Sequence, residues 1–365
     1  MAVTNDLVTD QRVHRSCSAL KEAGYDVLLI GRRFKTSEPL NREYSTHRMS
    51  LVFNRSALFY AEYNLRLFWK LLWTRCDMVW ANDTDTLLAS YCAAKVKRVP
   101  LWVDAHELFT EVPELVGREK VKRVWEKIER RILPKVKYGS TVCDSVTQEY
   151  ARRYGVELMV VRNFPIKRTR SVEKKHTEEK ILLYQGAVNI GRGVDWMIEA
   201  MEWLEGYRFI VAGTGDEIAE MKRLAASRPW HDRIEFVGRL EPEKLFELTC
   251  QADLGISLLE NLGLNYYYAL PNRLADFVQA GVPVLATDFP EIRNIIETYR
   301  VGVLVENHSP EYLAEKVKKA ISWWESLGIE EQHKRMDSAA KVLNWEQEKV
   351  KLVAEIDNIF NKKTF

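Results

Sequence analysis

The chain has 365 residues, of which 46% are hydrophobic and 29% charged, with a formal net charge of +2. This length allows two domains with separate cores, and the composition is typical of a globular protein. The five cysteines are scattered and form no CxxC pair, which argues against a disulfide framework or zinc cluster. No apolar run reaches the roughly 18 residues of a membrane-spanning helix, and no signal peptide is recognisable. We therefore expect a cytoplasmic protein.

The charge is unevenly distributed. Residues 1–165 contain 27 Lys and Arg against 20 Asp and Glu, a net charge of +7, whereas the remaining 200 residues have 27 against 32, a net charge of −5. The basic first half should attract an anionic ligand or surface more readily. Nucleic acid is disfavoured as a partner, because the basic residues alternate with acidic ones and no base-stacking module is recognisable.

Short apolar runs alternate with amphipathic helical stretches along the first half. MAVTND offers two or three residues of a first strand, which indicates either a short strand or a reading frame that begins inside it. The further predicted strands are YDVLLI (25–30), HRMSLVF (47–53), DMVWA (77–81), LWVDA (101–105), STVCD (140–144) and LMVVRN (158–163). Apolar strands that alternate with helices indicate a parallel sheet covered on both faces.

The second half repeats this pattern. Its predicted strands are KILLYQ (180–185), YRFIVAG (207–213), RIEFVG (233–238), DLGISLL (253–259), VPVLAT (282–287) and GVLVE (302–306). The charged stretch 164–180 predicts a linker, and residues 344–360 predict a helix that packs back across the hinge. We therefore predict an α/β protein with two doubly wound, Rossmann-like domains, residues 1–164 and 165–343, followed by a C-terminal helix in 344–365. Ligands of such sheets bind beyond the carboxyl ends of the strands, so we expect the domains to face each other across a cleft.

One strand-to-helix turn is rich in glycine. Residues 184–193 read YQGAVNIGRG, in which Gly186, Gly191 and Gly193 do not form the dinucleotide fingerprint. The turn does place backbone N–H groups and the Arg192 guanidinium at the start of a helix, where anions bind. Glycine is also the default residue of any tight loop, so the turn alone leaves both interpretations open.

Three later turns have similar character. VAGTGDE (211–217) carries Gly213 and Gly215, and FVGRLEPEKL (236–245) carries Arg239. In ALPNRLADF, Pro271 can start a helix. The polar residues of that predicted helix are Asn272, Arg273 and, one turn later, Asp276, whose carboxylate can accept hydrogen bonds from sugar hydroxyls. Taken singly, each segment is equally compatible with a plain turn or an exposed helix face.

In order and spacing, these segments resemble the retaining glycosyltransferases of the GT-B fold, in the family numbered four (group 1). QGAVNIGRG matches the family's Gly-Arg/Lys-Gly turn, RFIVAGTGDE its Gly-x-Gly turn, and IEFVGRL its Phe-x-Gly strand end. ADLGISLLE matches its Ala-Asp strand, and LADFVQAGVPV its carboxylate helix before Gly-x-Pro-Val. In the first half, WVDAHELFTEVPEL (102–115) matches its Asp-x-His-Glu segment. The resemblance covers nearly the whole chain.

The resemblance implies transfer of a sugar, with retention, from a UDP- or GDP-linked sugar to a glycan or lipid-linked acceptor, as in surface polysaccharide synthesis, with no cofactor. It implies that Arg192 stabilises the leaving phosphate and that His106 approaches the donor sugar across the cleft, with Glu107 as its orienting partner. The residues expected to bind the donor are Gly186, Gly191, Gly193, Gly213, Gly215, Arg239, Glu260, Asn272, Arg273 and Asp276. Asn5, Asp6 and Asp10 follow the first strand and are candidates to meet acceptor hydroxyls.

The chain also departs from the family pattern. Ala187 stands where members commonly carry Arg after the first glycine, and Arg192 replaces the expected Lys. The family's paired glutamates are not reproduced, with Glu260 a candidate for the first and Asp276 at the position of the second. These departures leave open the alternative of a non-catalytic partner subunit of a glycan assembly complex. A sugar-nucleotide epimerase, which could share this architecture, is a second alternative.

Asp83 and Asp85 in NDTDT (82–86) spell the Asp-x-Asp metal signature of the other major glycosyltransferase fold. A lone pair of carboxylates supplies few of the oxygen ligands that a divalent cation needs. The pair also lies between a predicted strand and a predicted helix, where carboxylates cap helix N-termini. We therefore predict that this segment caps a helix and that the chain has no metal site.

A basic amphipathic segment raises the question of a membrane. Residues 117–137 contain nine Lys/Arg and three Glu, and one helical face carries Val121, Trp125, Ile128, Ile132 and Val136. Such a helix can rest on an anionic leaflet, or it can pack its apolar face on the core. Together with the aromatic-rich stretch 56–73, it suggests peripheral contact with the inner face of a membrane.

Overall fold

The computed structural model describes residues 1–8, 10–112, 115, 117–170 and 178–362. Their contacts divide the chain into two compact units. Unit 1 comprises Met1–Asn163 together with the segment that begins at Glu348, and unit 2 comprises Phe164–Gln347. Each unit is built around a parallel sheet with helices, which confirms the predicted α/β class. Of the predicted linker 164–180, residues 171–177 lie outside the described part of the chain.

Unit 1 contains a seven-stranded sheet in the order β3-β2-β1-β4-β5-β6-β7. Its strands are β1 (Ala2–Asp6), β2 (Leu28–Arg33), β3 (Ser45–Ser50), β4 (Val79–Asn82), β5 (Leu101–Ala105), β6 (Tyr138–Thr141) and β7 (Met159–Val160). Its helices are α1 (Gln11–Glu22), α2 (Ser56–Trp73), α3 (Asp83–Lys97), α4 (Glu119–Ile132) and α5 (Asp144–Tyr154). β1 spans five residues, so the expectation of two or three was wrong. The polar residues Thr4, Asn5 and Asp6 continue the strand beyond its apolar start.

Unit 2 contains a six-stranded sheet in the order β10-β9-β8-β11-β12-β13. Its strands are β8 (Lys180–Gln185), β9 (Tyr207–Ala212), β10 (Ile234–Phe236), β11 (Leu254–Ser257), β12 (Val284–Thr287) and β13 (Gly302–Val305). Its helices are α6 (Val194–Ala200), α7 (Ile218–Ala226), α8 (Pro242–Gln251), α9 (Leu264–Tyr267), α10 (Asn272–Ala280), α11 (Pro290–Tyr299), α12 (Pro310–Ser326) and α13 (Gly328–Ala340). The central strands β11 and β12 are buried throughout, as parallel strands covered on both faces require.

The last helix, α14 (Trp345–Asn361), packs on unit 1 along most of its length. Lys349 donates a hydrogen bond to Glu22 at 2.6 Å, and the ring of Phe360 lies 5.5 Å from that of Tyr25. The Tyr25 hydroxyl also donates to Asp357. The chain thus enters unit 2 once and returns to complete unit 1.

Helix α4 buries the middle of its apolar face in unit 1. The Trp125 ring is 7% exposed and meets the rings of Tyr60 and Phe109 edge-on, with centroids 5.0 and 5.2 Å away. On the same face Glu129 is buried, where it accepts hydrogen bonds from Thr84 at 2.6 Å and from Tyr154 at 2.5 Å. The apolar face of the basic helix is therefore core-packed at its centre. No helix among the described residues is long and apolar enough to cross a bilayer.

This packing predicts the effect of shortening side chains on α4. Trp125→Ala should lower the free energy of unfolding by about 3–5 kcal/mol, because a large buried ring leaves a cavity. Val124→Ala is the matched control on the adjacent helical position, since Val124 is 57% exposed, and it should change stability by no more than about 0.5 kcal/mol. Urea denaturation measures both, and equal small losses would contradict the packing of α4.

Candidate active site

Two glycine-rich loops of unit 2 are joined by backbone hydrogen bonds at the carboxyl ends of β8 and β9. The Gly186 N–H donates to the Ala212 carbonyl and the Val188 N–H to the Thr214 carbonyl, each at 3.0 Å. A Cβ at Gly213 would overlap the Gly186 carbonyl oxygen, and a Cβ at Gly215 would overlap that of Val188. Glycine is therefore required here by close approach of two backbones. The carboxyl end of a parallel sheet is also where ligands of such folds bind.

The second part of the first loop turns into α6. Gly191 and Gly193 have φ angles of 73° and 69°, in the left-handed region that favours glycine. A Cβ at Gly193 would lie 2.5 Å from that of Leu258. The Glu260 N–H donates to the Gly191 carbonyl at 2.9 Å, so the segment after β11 closes against the same loop.

Two arginines without acidic partners lie in this network. Arg273 is 8% exposed, its guanidinium lies 4.4 Å from the ring centroid of Tyr184, and its Nη1 atom is buried without a hydrogen-bond partner. Arg192 lies 4.7 Å from the ring centroid of Tyr266, and its Nε atom is likewise buried and unpartnered. Within the described part of the chain, no carboxylate forms an ion pair with either guanidinium.

The two cations also repel each other. Burial lowers the pKa of Arg273, and the positive charge of Arg192 lowers it further. Buried charges in proteins are ordinarily paired with an opposite charge, so these two guanidinium groups are suited to an anionic ligand. Guanidinium groups match the geometry of phosphate oxygens. The Arg273 guanidinium lies 3.8–4.0 Å from the point where a Cβ would stand on Gly186, which places the cationic charge directly beside the glycine loop.

Hydrogen bonds connect Asp276 to the same region. The Gln185 amide donates to Asp276 at 3.3 Å and accepts from the Thr249 hydroxyl at 2.8 Å. Glu260 and Asn272 are exposed at its edge. Arg239 is exposed in the loop after the edge strand β10 and lies outside this network of contacts.

The two tyrosines and Gln185 were missed by sequence reasoning. Tyr184 and Gln185 are the last residues of β8, where the sequence pattern indicated strand residues only, and Tyr266 lies in the short helix α9. Nothing in the order of residues indicates that these rings support the two guanidinium groups. The three aromatic residues NYYY (265–268) are the only signal in that segment, and they are equally typical of a core.

In unit 1, His106 lies directly after β5 with a carboxylate on each side of its ring. Its Nε2 atom is 3.0 Å from Asp104 Oδ2, and its Nδ1 atom is 3.2 Å from Asp83 Oδ2. Arg12 forms a two-point ion pair with Asp104 at 2.6 and 3.1 Å, and Ser140 donates to the same carboxylate at 2.7 Å. Asp104 is thereby fixed, and it fixes the imidazole in turn.

The charges of this cluster determine its protonation. Burial alone would lower the pKa of His106, but the charges of Asp83 and Asp104 outweigh it and raise the pKa to about 9. Asp104 is also buried, yet the positive charges of Arg12 and His106 hold the pKa of its carboxyl well below the ordinary range. Burial raises the pKa of Asp83 to about 7, so at neutral pH the cluster holds an imidazolium against an ionised Asp104 and an Asp83 carboxyl that is close to its own pKa.

Two expectations for this segment need correction. The partners of the His106 ring are Asp104 and Asp83, and the expected partner Glu107 is not among them. Asp83 does not cap α3, whose N-cap position is Asn82 without a side-chain cap hydrogen bond. Asp83 instead accepts a hydrogen bond from the His106 backbone N–H at 2.7 Å, because the end of β4 lies beside the end of β5 in the sheet. Asp85 accepts a hydrogen bond from Thr4.

The three residues proposed to meet an acceptor all lie near the end of β1. Asp10 caps α1 by accepting from the Val13 N–H at 3.1 Å, and Asn5 donates to Asp10 at 3.2 Å. Asp6 pairs with Arg48 at 2.9 Å. Asp6 and Asp10 thus have structural contacts of their own, and Asn5 is exposed.

Comparison with known proteins agrees with this architecture. The family described as "Glycosyl transferases group 1" matches residues 165–342, and "Glycosyltransferase Family 4" matches residues 10–164. No curated protein sequence matches the chain. Among solved structures, a glycosyltransferase from Rickettsia africae has a TM-score of 0.74 at 14% identity, with 98% of this chain and 97% of that chain covered.

Two further structures are similar at the same level. Anabaena HepE, solved in complex with UDP-glucose, has a TM-score of 0.74 at 12% identity and 98% coverage of both chains. WaaG, a glycosyltransferase involved in lipopolysaccharide biosynthesis, has a TM-score of 0.70 at 16% identity and 96% coverage of both chains. The two sheets and these likenesses define the fold as GT-B. By the two family matches, the chain belongs to the glycosyltransferases of group 1 and family 4.

The raised pKa of His106 predicts a pH-dependent contribution to stability. A histidine whose folded pKa is about 9, against an ordinary value of 6.5, stabilises the fold fully below pH 6.5, and this stabilisation is lost as the pH rises to about 9. The melting temperature of the wild type should therefore exceed that of His106→Gln most at pH 6, with the difference shrinking towards pH 9.5. A difference in melting temperature that stays constant between pH 6 and pH 9.5 would contradict the raised pKa of His106.

Proposed function

We propose that this glycosyltransferase transfers a sugar from a UDP- or GDP-linked donor to a glycan or lipid-linked acceptor, with retention of configuration and without a metal ion. The assignment to surface polysaccharide synthesis belongs to the same proposal. It is supported by the family matches to both halves of the chain and by the likeness to WaaG, which is involved in lipopolysaccharide biosynthesis.

The observation that carries the proposal is a pair of arginines beside the Gly186 turn, the buried Arg273 and the partly buried Arg192, each with a buried nitrogen that has no hydrogen-bond partner. Two neighbouring cations with unpartnered nitrogens suit a ligand with two linked negative charges, as in the diphosphate of a nucleotide sugar. Glycines at 186, 213 and 215 keep side chains away from the loop backbone. Asp276, held by Gln185, is then suited to accept hydrogen bonds from the hydroxyls of the donor.

The same arrangement supports the chemical step. The bond from the anomeric carbon to the diphosphate oxygen breaks, and negative charge grows on the leaving diphosphate. Arg192 and Arg273 stabilise that charge, because preorganised cations in a water-poor site act most strongly where charge develops. The acceptor hydroxyl forms the new bond on the face that the diphosphate leaves, and its proton passes to the leaving phosphate oxygen. This route needs no protein nucleophile, and positioning supplies much of the rate.

The guanidinium pair also bears on the question of a metal. In many phosphoryl and glycosyl sites a divalent cation neutralises the leaving group, and here two fixed cations supply that charge. For unit 1 we propose that His106 contacts the donor sugar during the reaction and that Asn5, Asp6 and Asp10 bind the acceptor. Contact with an anionic membrane surface is part of the proposal, since residues 1–165 carry a net charge of +7.

The test is a thermal-shift panel of UDP, GDP and their sugars, each with and without EDTA. One base should raise the melting temperature regardless of chelator. Arg192→Ala should weaken binding of that nucleotide by about 10- to 100-fold, since it removes a charged hydrogen-bond donor. Arg223→Ala is the matched control, because Arg223 is a 75% exposed arginine on α7 of the same unit, and it should bind as the wild type does.

The other outcomes separate the alternatives. If no nucleotide raises the melting temperature, the proposed transferase activity is wrong and a non-catalytic partner subunit is favoured. If the rise in melting temperature disappears in EDTA, donor binding requires a metal ion, and only that part of the proposal is wrong. The configuration at the anomeric carbon of the product, read by NMR coupling constants, tests retention, and an inverted product would contradict the proposed route.

A further inference from the structure

The sequence pattern of NDTDT (82–86) is compatible with a metal signature or a helix cap. In unit 1, Asp83 of this segment instead contacts His106. Asp83 Oδ1 accepts a hydrogen bond from the His106 backbone N–H at 2.7 Å, and Asp83 Oδ2 lies 3.2 Å from His106 Nδ1. One carboxylate therefore bonds the backbone of His106 and lies within ion-pair distance of its ring. These contacts join the turn after β4 to the turn after β5.

The two imidazole nitrogens are held differently. Nε2 donates to Asp104 at 3.0 Å, and the Asp104 side chain is 1% exposed and held by Arg12. Nδ1 lies within ion-pair distance of Asp83 but forms no hydrogen bond with it. The side chains of His106 and Asp83 are 17% and 19% exposed. His106 and Asp83 are thus the more exposed members of this cluster, and the Nδ1 edge lies between them.

Backbone strain at Asp83 points in the same direction. Its φ angle is 57° at the first residue of α3, in the left-handed region that non-glycine residues rarely adopt. Asp and Asn are the side-chain-bearing residues that tolerate it best. Such strain persists where the surrounding contacts impose it, and it clusters at functional sites. Here the contacts that accompany it are those to His106.

We propose that Asp83 is a positioning residue for His106, which locks the backbone after β5 and leaves Nδ1–H as the donor to a sugar hydroxyl. This inference rests on the proposed function, because it needs a carbohydrate substrate. The hydroxyl accepts from Nδ1–H and can donate to Asp83 Oδ2, so the two side chains bind one hydroxyl from both sides. Asp104 and Arg12 act behind the ring and fix its plane.

The charged surroundings of His106 come from several elements. Arg12 lies on α1, Asp104 on β5, Asp83 and Asp85 in the first turn of α3, and Glu107 follows His106 in the chain. Burial lowers the pKa of His106, and the charge of Asp83, together with the charge and the hydrogen bond of Asp104, outweighs it and raises the pKa to about 9. Removing the Asp83 charge should therefore return the pKa towards 6.5.

The first experiment follows the His106 ring by NMR titration of the full-length protein, with the signal assigned by its loss in His106→Gln. In Asp83→Asn, which keeps an acceptor for the backbone N–H and tolerates the left-handed backbone, His106 should titrate at a clearly lower pH than in the wild type. Asp85→Asn is the comparison variant in the same helical turn and should lower the titration of His106 less than Asp83→Asn does, since Asp85 bonds Thr4 and acts on His106 through its charge alone. An unchanged His106 titration in Asp83→Asn would overturn the proposal.

The second experiment measures transfer. Asp83→Asn should lower kcat/KM about 100-fold, as loss of substrate positioning does, and move the alkaline limb of the pH profile to lower pH, while the affinity for UDP or GDP stays within twofold. Asp83→Gly, which suits the left-handed backbone without a side chain, should behave alike and guards against misfolding. Equal losses in Asp83→Asn and Asp85→Asn would overturn the proposal. If no nucleotide binds the wild type, the proposed function fails, and the NMR titration still decides whether Asp83 controls His106.

Discussion

The interaction on which the site in unit 2 depends is the repulsion between two guanidinium groups, that of the buried Arg273 and that of the partly buried Arg192, neither of which has an acidic partner in the described chain. Burying a charge is costly unless it is paired, and placing Arg192 beside Arg273 adds to that cost. The tyrosine rings under each guanidinium offset part of it through cation–π contact. The pair is therefore suited to an anionic ligand, and the fold of unit 2 is organised so that both guanidinium groups lie beside the glycine loop.

That organisation follows from the parallel sheet. The loops after β8 and β9 lie against each other because their strands are neighbours, and only glycine permits the contact of Gly213 with the Gly186 carbonyl. Helix α10 begins beside the same edge and brings Arg273 to it. In unit 1, too, residues at the ends of neighbouring parallel strands come together. Its neighbouring strands β4 and β5 bring Asp83, Asp104 and His106 together, so that carboxylates hold an imidazolium in place.

Much of this could be predicted from the sequence, because the alternation of apolar strands and amphipathic helices is a local signal. β5 and β8 have the predicted bounds, whereas β2 extends past its apolar run because Arg32 and Arg33 still pair with β3. The sequence also identified the glycine-rich turn at 184–193 and Arg192 within it as candidate site residues. The support of Arg192 by Tyr266 and the bond from His106 to Asp83 were not recognisable from it, since they join residues 74 and 23 positions apart. Such contacts depend on strand order, which a pattern of local periodicity does not contain.

The most direct test of the central claim is calorimetric titration of the protein with UDP and GDP, each compared with its nucleoside. If the paired guanidinium groups bind a diphosphate, one of the two nucleoside diphosphates should bind at least about 100-fold more tightly than its nucleoside, a difference of about 2.7 kcal/mol. A variant that carries both Arg192→Met and Arg273→Met should lose this difference in affinity, which would assign diphosphate binding to the two guanidinium groups. Equal affinity for diphosphate and nucleoside, or no binding of either, would contradict the account.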